Sequence, residues 1–123
     1  MKKILLVEDD PLLVDIYTTK LRQSGFEVQV VEQGEKALGA MEEGSPNLVL
    51  LDIVLPNMEG WDILQQVRGV EKFKDIPIII LSNLGQKEEI EKGLRLGANK
   101  YLIKAHYTPS QIAEEVVKLI GDI

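Results

Sequence analysis

The feature that most constrains this chain is an alternation. Five short apolar runs recur along its 123 residues, and each is followed by a stretch with helical spacing. The runs are Ile4–Val7, Phe26–Val31, Leu48 to Asp52, Pro77–Leu81 and Tyr101–Ile103. In Ile4–Val7, Leu48 to Asp52 and Pro77–Leu81, a continuous apolar run bounded by turn residues fits a strand covered on both faces, and Tyr101–Ile103 reads as a fifth strand. Phe26–Val31 differs, because it alternates, with Phe26, Val28 and Val30 on one face, and so reads as a strand near a sheet edge. Pro77–Leu81 is rich in β-branched isoleucine, which favours a strand.

The intervening segments carry helix signals. Pro11 opens the first helix, where its missing N–H is not needed. That helix extends to about Ser24, with Leu13, Ile16, Tyr17 and Leu21 at helical spacing and Gly25 as its stop. A short helix over Glu35 to Glu43 turns Ala37, Leu38 and Met41 inward. A third covers Gly60 to about Val70 with Trp61, Leu64 and Val67 on one face. A fourth covers Gln86 to Leu96 with Ile90 and Leu94 inward, and Gly97 lies beyond it. Thr108-Pro109 caps and opens the last, whose Ile112, Val116, Leu119 and Ile120 face the core. Five strands alternating with five helices imply right-handed crossovers and a parallel sheet with helices on both faces, an α/β architecture. Residues 1–123 read as a single domain, with no repeat, linker or low-complexity segment.

Several function classes are excluded by composition. A net charge of -6 argues against nucleic-acid binding through these residues, since phosphate neutralisation needs a basic surface. The chain has no cysteine and one histidine, His106, so thiol chemistry and His- or Cys-based metal sites are out. No apolar run approaches the roughly 20 residues of a membrane span. The apolar stretch after Met1-Lys2-Lys3 is cut short by Glu8-Asp9-Asp10, so it reads as a strand and not an export signal, and the expected compartment is the cytoplasm.

What remains is a set of polar residues at strand ends. Glu8, Asp9 and Asp10 follow the first strand and Asp52 ends the third. Ser82 and Asn83 follow the fourth, and Lys104 follows the fifth. In a parallel sheet these ends lie along one edge, where open α/β sheets hold their ligands. Each has a plain structural explanation taken singly: Asp10 as a helix cap, Ser82-Asn83 as a turn, Lys104 as a solvated charge. Taken together they bring an acid cluster, a hydroxyl and an ammonium to one crevice.

In these residues, Ile-Leu-Leu-Val-Glu8-Asp9-Asp10, Leu-Leu-Asp52-Ile-Val-Leu-Pro56-Asn-Met58-Glu-Gly60, Leu-Ser82-Asn and Tyr101-Leu-Ile-Lys104, the chain resembles a response-regulator receiver domain of two-component signalling over its whole length. The resemblance implies a doubly wound (βα)5 flavodoxin-like fold, with five parallel strands in order 2-1-3-4-5. It makes Asp52 the phosphoacceptor and Mg²⁺ the cofactor. Asp9, Asp52 and the backbone carbonyl of Val54 would bind the metal directly, and Glu8 mainly through water. Ser82 would bond a phosphoryl oxygen, Lys104 would pair with the phosphoryl group, and Tyr101 would turn from exposed to buried as Ser82 moves. The donor would be a sensor histidine kinase or a phosphotransfer protein. The readout would be a downstream protein bound at the face of the fourth helix, fifth strand and fifth helix. Such a domain is a switch and not an enzyme beyond its own phosphorylation and slow dephosphorylation, and acts as a monomer or a phosphorylation-dependent dimer.

The residue types suit that chemistry. Crowded carboxylates raise one another's pKa, and a divalent cation removes the cost. Lys104 would neutralise charge on the transferring group from the other side. Two positions depart from the family pattern. Ala105 stands where proline usually follows the lysine. A cis Lys104–Ala105 bond, matching the family's Lys-Pro bond, would cost about 2.5–4 kcal/mol. Asn83 stands where a small residue is usual, and would either narrow access to the site or add a hydrogen bond. Val54 and Leu84, two residues after Asp52 and Ser82, would flank the path of the hydrolytic water, and as apolar side chains would neither orient nor activate it. Three other readings compete: a Mg²⁺-dependent phosphohydrolase of the haloacid-dehalogenase kind, a flavodoxin-like flavin binder, and a receiver-like domain that no longer takes phosphate.

Overall fold

The computed structural model describes residues 1–121. Five strands form one parallel sheet: β1 (Lys3–Val7), β2 (Glu27–Val31), β3 (Leu48–Leu51), β4 (Ile78–Ser82) and β5 (Lys100–Ile103), in the order β2-β1-β3-β4-β5. The helices α1 (Pro11–Gln23), α2 (Ala37–Gly44), α3 (Gly60–Arg68), α4 (Lys87–Arg95) and α5 (Pro109–Ile120) cover both faces. The expected doubly wound fold, with its 2-1-3-4-5 order, is the observed one.

The three central strands explain the continuous apolar runs. Each buries both faces, so alternate residues feed different cores. Leu5, Val7, Val49, Leu51, Ile78 and Ile80 join one core with α2 and α3. Ile4, Leu6, Leu48, Leu50, Ile79 and Leu81 join the other with α1 and α5. The alternating β2 is an edge strand, as its pattern predicted.

Element ends follow local chemistry. Asp10 Oδ1 accepts hydrogen bonds from the backbone N–H of Leu12 (2.9 Å) and Leu13 (3.3 Å), which caps α1 ahead of Pro11. Thr108 and Gln111 form a reciprocal capping box on α5. The second helical segment begins as a 3-10 turn, Gly34–Lys36, before α2 proper, and short 3-10 turns also occupy Glu71–Phe73 and Lys104–His106.

Two inward assignments are corrected. Ile16 of α1 is exposed, and the polar Thr18 takes an inward place beside Tyr17 and Leu21. Leu94 of α4 is also exposed, and Gly93 is the buried residue of that helix. The contact there is too close for a side chain: a Cβ on Gly93 would lie 2.7 Å from Ile80 Cδ1 and 2.8 Å from the ring of Tyr101. The helix therefore packs through its backbone and leaves its apolar residues on the flank.

Candidate functional site

The strand ends predicted to meet do meet. The Asp52 N–H donates to Val7 O at 3.0 Å, so the backbone of Asp52 is tied to the last residue of β1. Its side chain turns back, and Oδ1 accepts the N–H of Ile53 at 2.7 Å. The loop after Asp52 is held close by Gly60, whose N–H donates to Ile53 O at 2.9 Å. A Cβ on Gly60 would run into the Asp52 carbonyl and approach Ile53 Cα to 2.8 Å, and neither backbone atom has room to give.

Lys104 reaches across the crevice from the end of β5. Its Nζ lies 2.9 Å from Asp52 Oδ2 and 2.6 Å from Glu8 Oε1. Both acids are buried, Glu8 at 1% exposure and Asp52 at 6%. The other Glu8 oxygen accepts the N–H groups of Asp9 and Asp10, each at 3.1 Å. Burial pushes the Glu8 carboxyl above its ordinary range; the Lys104 hydrogen bond opposes this, and the charge of Asp52 adds to it. Burial works against the Lys104 ammonium, but its bonds to Glu8 and Asp52 outweigh that and hold its pKa above the usual lysine value. Glu8, assigned by resemblance to the metal through water, is thus also an ion-pair partner of the lysine. Nothing in the residue spacing signals that pair, because Glu8 and Lys104 follow strands separated by two others in the sheet.

The carboxylates of Glu8, Asp9 and Asp52 each offer an oxygen, and these oxygens lie within 4.8 Å of one another. Only Asp9 is exposed. An all-oxygen set open to water on one side fits Mg²⁺, which takes one or two carboxylates and keeps several waters. Asp10, the third acid of the run, spends its side chain on the α1 cap.

Ser82 closes the other side of the crevice. It is buried, and its Oγ accepts the N–H of Leu84 at 3.2 Å. Tyr101 is half-buried, with its ring over Gly93, and its hydroxyl donates to Leu84 O at 2.5 Å. Burial, followed by the charge of Glu89, raises its phenol pKa. In this structure the ring is already turned inward. No cis peptide bond occurs among the described residues, so Lys104–Ala105 is trans and the cost of a cis bond does not arise. Asn83 does add a hydrogen bond: its Oδ1 accepts the N–H of Ala105 at 3.2 Å.

Asp52, Val54, Ser82, Asn83, Leu84 and Lys104 line one small cavity of about 180 Å³. Val54 stands 59% exposed at its rim, so it borders the site without covering it. A larger groove of about 590 Å³ lies between α1 and α5 and collects none of these groups. The small cavity is the size of a phosphoryl group with a few waters, whereas pockets for larger organic ligands run to roughly 300–1,000 Å³. The haloacid-dehalogenase arrangement also lacks support, since it wants a nucleophile after β1 with a free acid two residues on. Here Glu8 is buried and paired, and Asp10 is a cap.

A family model of the response regulator receiver domain matches residues 4–117. The chain is 37% identical over 119 residues to a probable transcriptional regulator, ycf27, of Cyanophora paradoxa, covering 97% of this chain and 48% of that protein. It thus spans about half the length of the curated relatives it matches. Among solved structures, a putative response regulator from Chloroflexus aurantiacus superposes with a TM-score of 0.90 at 28% identity, covering 97% of each chain. The BeF3-activated receiver domain of Klebsiella pneumoniae RstA superposes with a TM-score of 0.86 at 30% identity, again covering 97% of each. The family match runs from β1 into α5 and takes in every strand end that feeds the crevice: the chain belongs to the response regulator receiver domain family.

Proposed function

We propose that residues 1–123 act as one phosphorylation-dependent signalling switch with Asp52 as the phosphoacceptor. The observation that carries this is a buried Asp52 carboxylate that faces a phosphoryl-sized cavity, with Lys104 on one of its oxygens. A sensor histidine kinase or a phosphotransfer protein would be the donor. An Asp52 oxygen attacks phosphorus, the donor's P–N bond breaks, and the electron pair returns to the imidazole nitrogen, leaving an aspartyl phosphate.

Asp9, Asp52 and the Val54 carbonyl would hold Mg²⁺, with Glu8 acting mainly through water. When bound, the ion supplies neutralisation of charge on the transferring oxygens. The remaining work falls to the chain. Lys104, already between two carboxylates, moves its ammonium onto the phosphoryl oxygens. Ser82 would turn its hydroxyl to donate to another. Because Ser82 Oγ and the Tyr101 hydroxyl both bond Leu84, a shift of Ser82 is felt at Tyr101. Tyr101 lies on β5, between α4 and α5, so the α4–β5–α5 face is where a downstream protein, or a second phosphorylated copy, would bind. The chemistry is limited to the domain's own phosphorylation and its slow loss. No nucleic-acid contact is assigned to this acidic chain, and its place is the cytoplasm. No helix among the described residues is long and apolar enough to cross a membrane.

The test is intact mass after incubation with acetyl phosphate and Mg²⁺. Wild type should gain one phosphoryl group and Asp52→Ala none. A gain in the variant would place the chemistry on another residue.

A further inference from the structure

The two positions that depart from the family pattern touch each other. Asn83 Oδ1 accepts the Ala105 N–H at 3.2 Å, within the ordinary range for such a bond. Ala105 is the second residue of the 3-10 turn Lys104–His106, so its N–H has no partner within that turn. A proline at this position would have no N–H to give. The bond joins the residue after Ser82 to the residue after Lys104, and Ser82, Asn83 and Lys104 all line the cavity.

We propose that Asn83 and Ala105 form a clasp beside the phosphorylation site, holding the segment after Ser82 where it lies until it opens. Asn83 is a positioning residue, acting through the loop that follows Ser82; the inference rests on the phosphoacceptor reading of Asp52. Ser82 cannot advance on a phosphoryl oxygen without drawing Asn83 and Leu84 with it. Leu84 is tied to Ser82, the last residue of β4, by the bond from its N–H to Ser82 Oγ, so the loop that begins at Asn83 follows it. The Asn83–Ala105 bond instead anchors that loop to a different one, and so resists the movement. A ligand that needs the advanced loop therefore binds more weakly by the equilibrium factor of one neutral hydrogen bond, about 2- to 12-fold.

The test uses beryllofluoride with Mg²⁺ on the full chain, its affinity read by fluorine NMR, with exchange of the Ala105 amide read in the free protein. Asn83→Leu keeps the bulk and removes the acceptor; Asn83→Ala removes both. Both variants should bind beryllofluoride about 2- to 12-fold more tightly than wild type, and both should speed exchange at Ala105. Tighter binding by Asn83→Ala alone would mean that the asparagine matters by its size, and would overturn the clasp. So would equal affinity in all three proteins, or unchanged exchange at Ala105. If wild type takes no beryllofluoride at all, the phosphoacceptor reading fails and the clasp fails with it.

Discussion

Replacing Lys104 by methionine isolates the electrostatic core of the site. Methionine keeps the apolar stem and removes the ammonium. In wild type that ammonium sits 2.6 Å from Glu8 and 2.9 Å from Asp52, with side-chain exposures of 10%, 2% and 7% for Lys104, Glu8 and Asp52. Removing one partner of a buried ion pair costs about 3–5 kcal/mol, because the partner charge is left without compensation. Two carboxylates are left here, facing each other. For a chain of this length that loss lowers Tm by about 12–20 °C. The cost depends on pH. Glu8 already has a raised pKa in the folded state, and losing Lys104 raises it further. A carboxyl raised on folding binds its proton more readily in the native state. Its stabilising protonation is fully present below the unfolded pKa of about 4.3 and is lost as pH rises through the folded value. The deficit of Lys104→Met should therefore be largest at neutral pH and shrink toward about pH 5. Urea titrations of both proteins at the two pH values measure it. A deficit below about 1 kcal/mol at neutral pH, the level of an exposed pair, or one that grows on acidification, would refute the reasoning.

Two further predictions concern the rim and the loop of the same cavity. Val54→Asn with Leu84→Glu should speed decay of the phosphorylated protein after donor removal by about 10²-fold, the scale on which positioning a nucleophilic water acts; a double variant that decays no faster removes these side chains from control of the lifetime. Gly60→Ala should lose about 1–3 kcal/mol of stability, because its Cβ presses on the backbone of Asp52 and Ile53; an unchanged urea midpoint would show that the loop yields freely.

Residues whose burial is symmetric were the ones legible in sequence. Leu48 to Leu51 fits a strand covered on both faces, and its place beside β1 puts Asp52 beside Glu8 and Asp9. The site residues were readable for a related reason: strand ends in a parallel sheet share an edge, so topology alone gathers them. Helix orientation was less legible. In α1 the inward row includes Thr18, so an apolar count leans toward Ile16. In α4 the inward contact is made by Gly93, which has no hydrophobicity to read, and Leu94 draws the eye instead. The Glu8–Lys104 pair and the Asn83–Ala105 bond depend on side-chain reach across strands, which neither spacing nor periodicity encodes.

The backbone of Asp52 is bonded to β1, in the middle of the sheet. Its amide is released only when the sheet itself comes apart, so its opening energy approaches that of global unfolding. The loop after β4 is different: Leu84 and Asn83 are held to Ser82 Oγ and to Ala105 by single side-chain bonds, and such bonds open locally at far lower energy. On the proposed function, the chemical event thus falls at a stiff point and the response at a compliant one. On that reading, a phosphoryl group on Asp52 would arrive at the stiff point, and the strain it creates would pass into the loop that begins at Asn83.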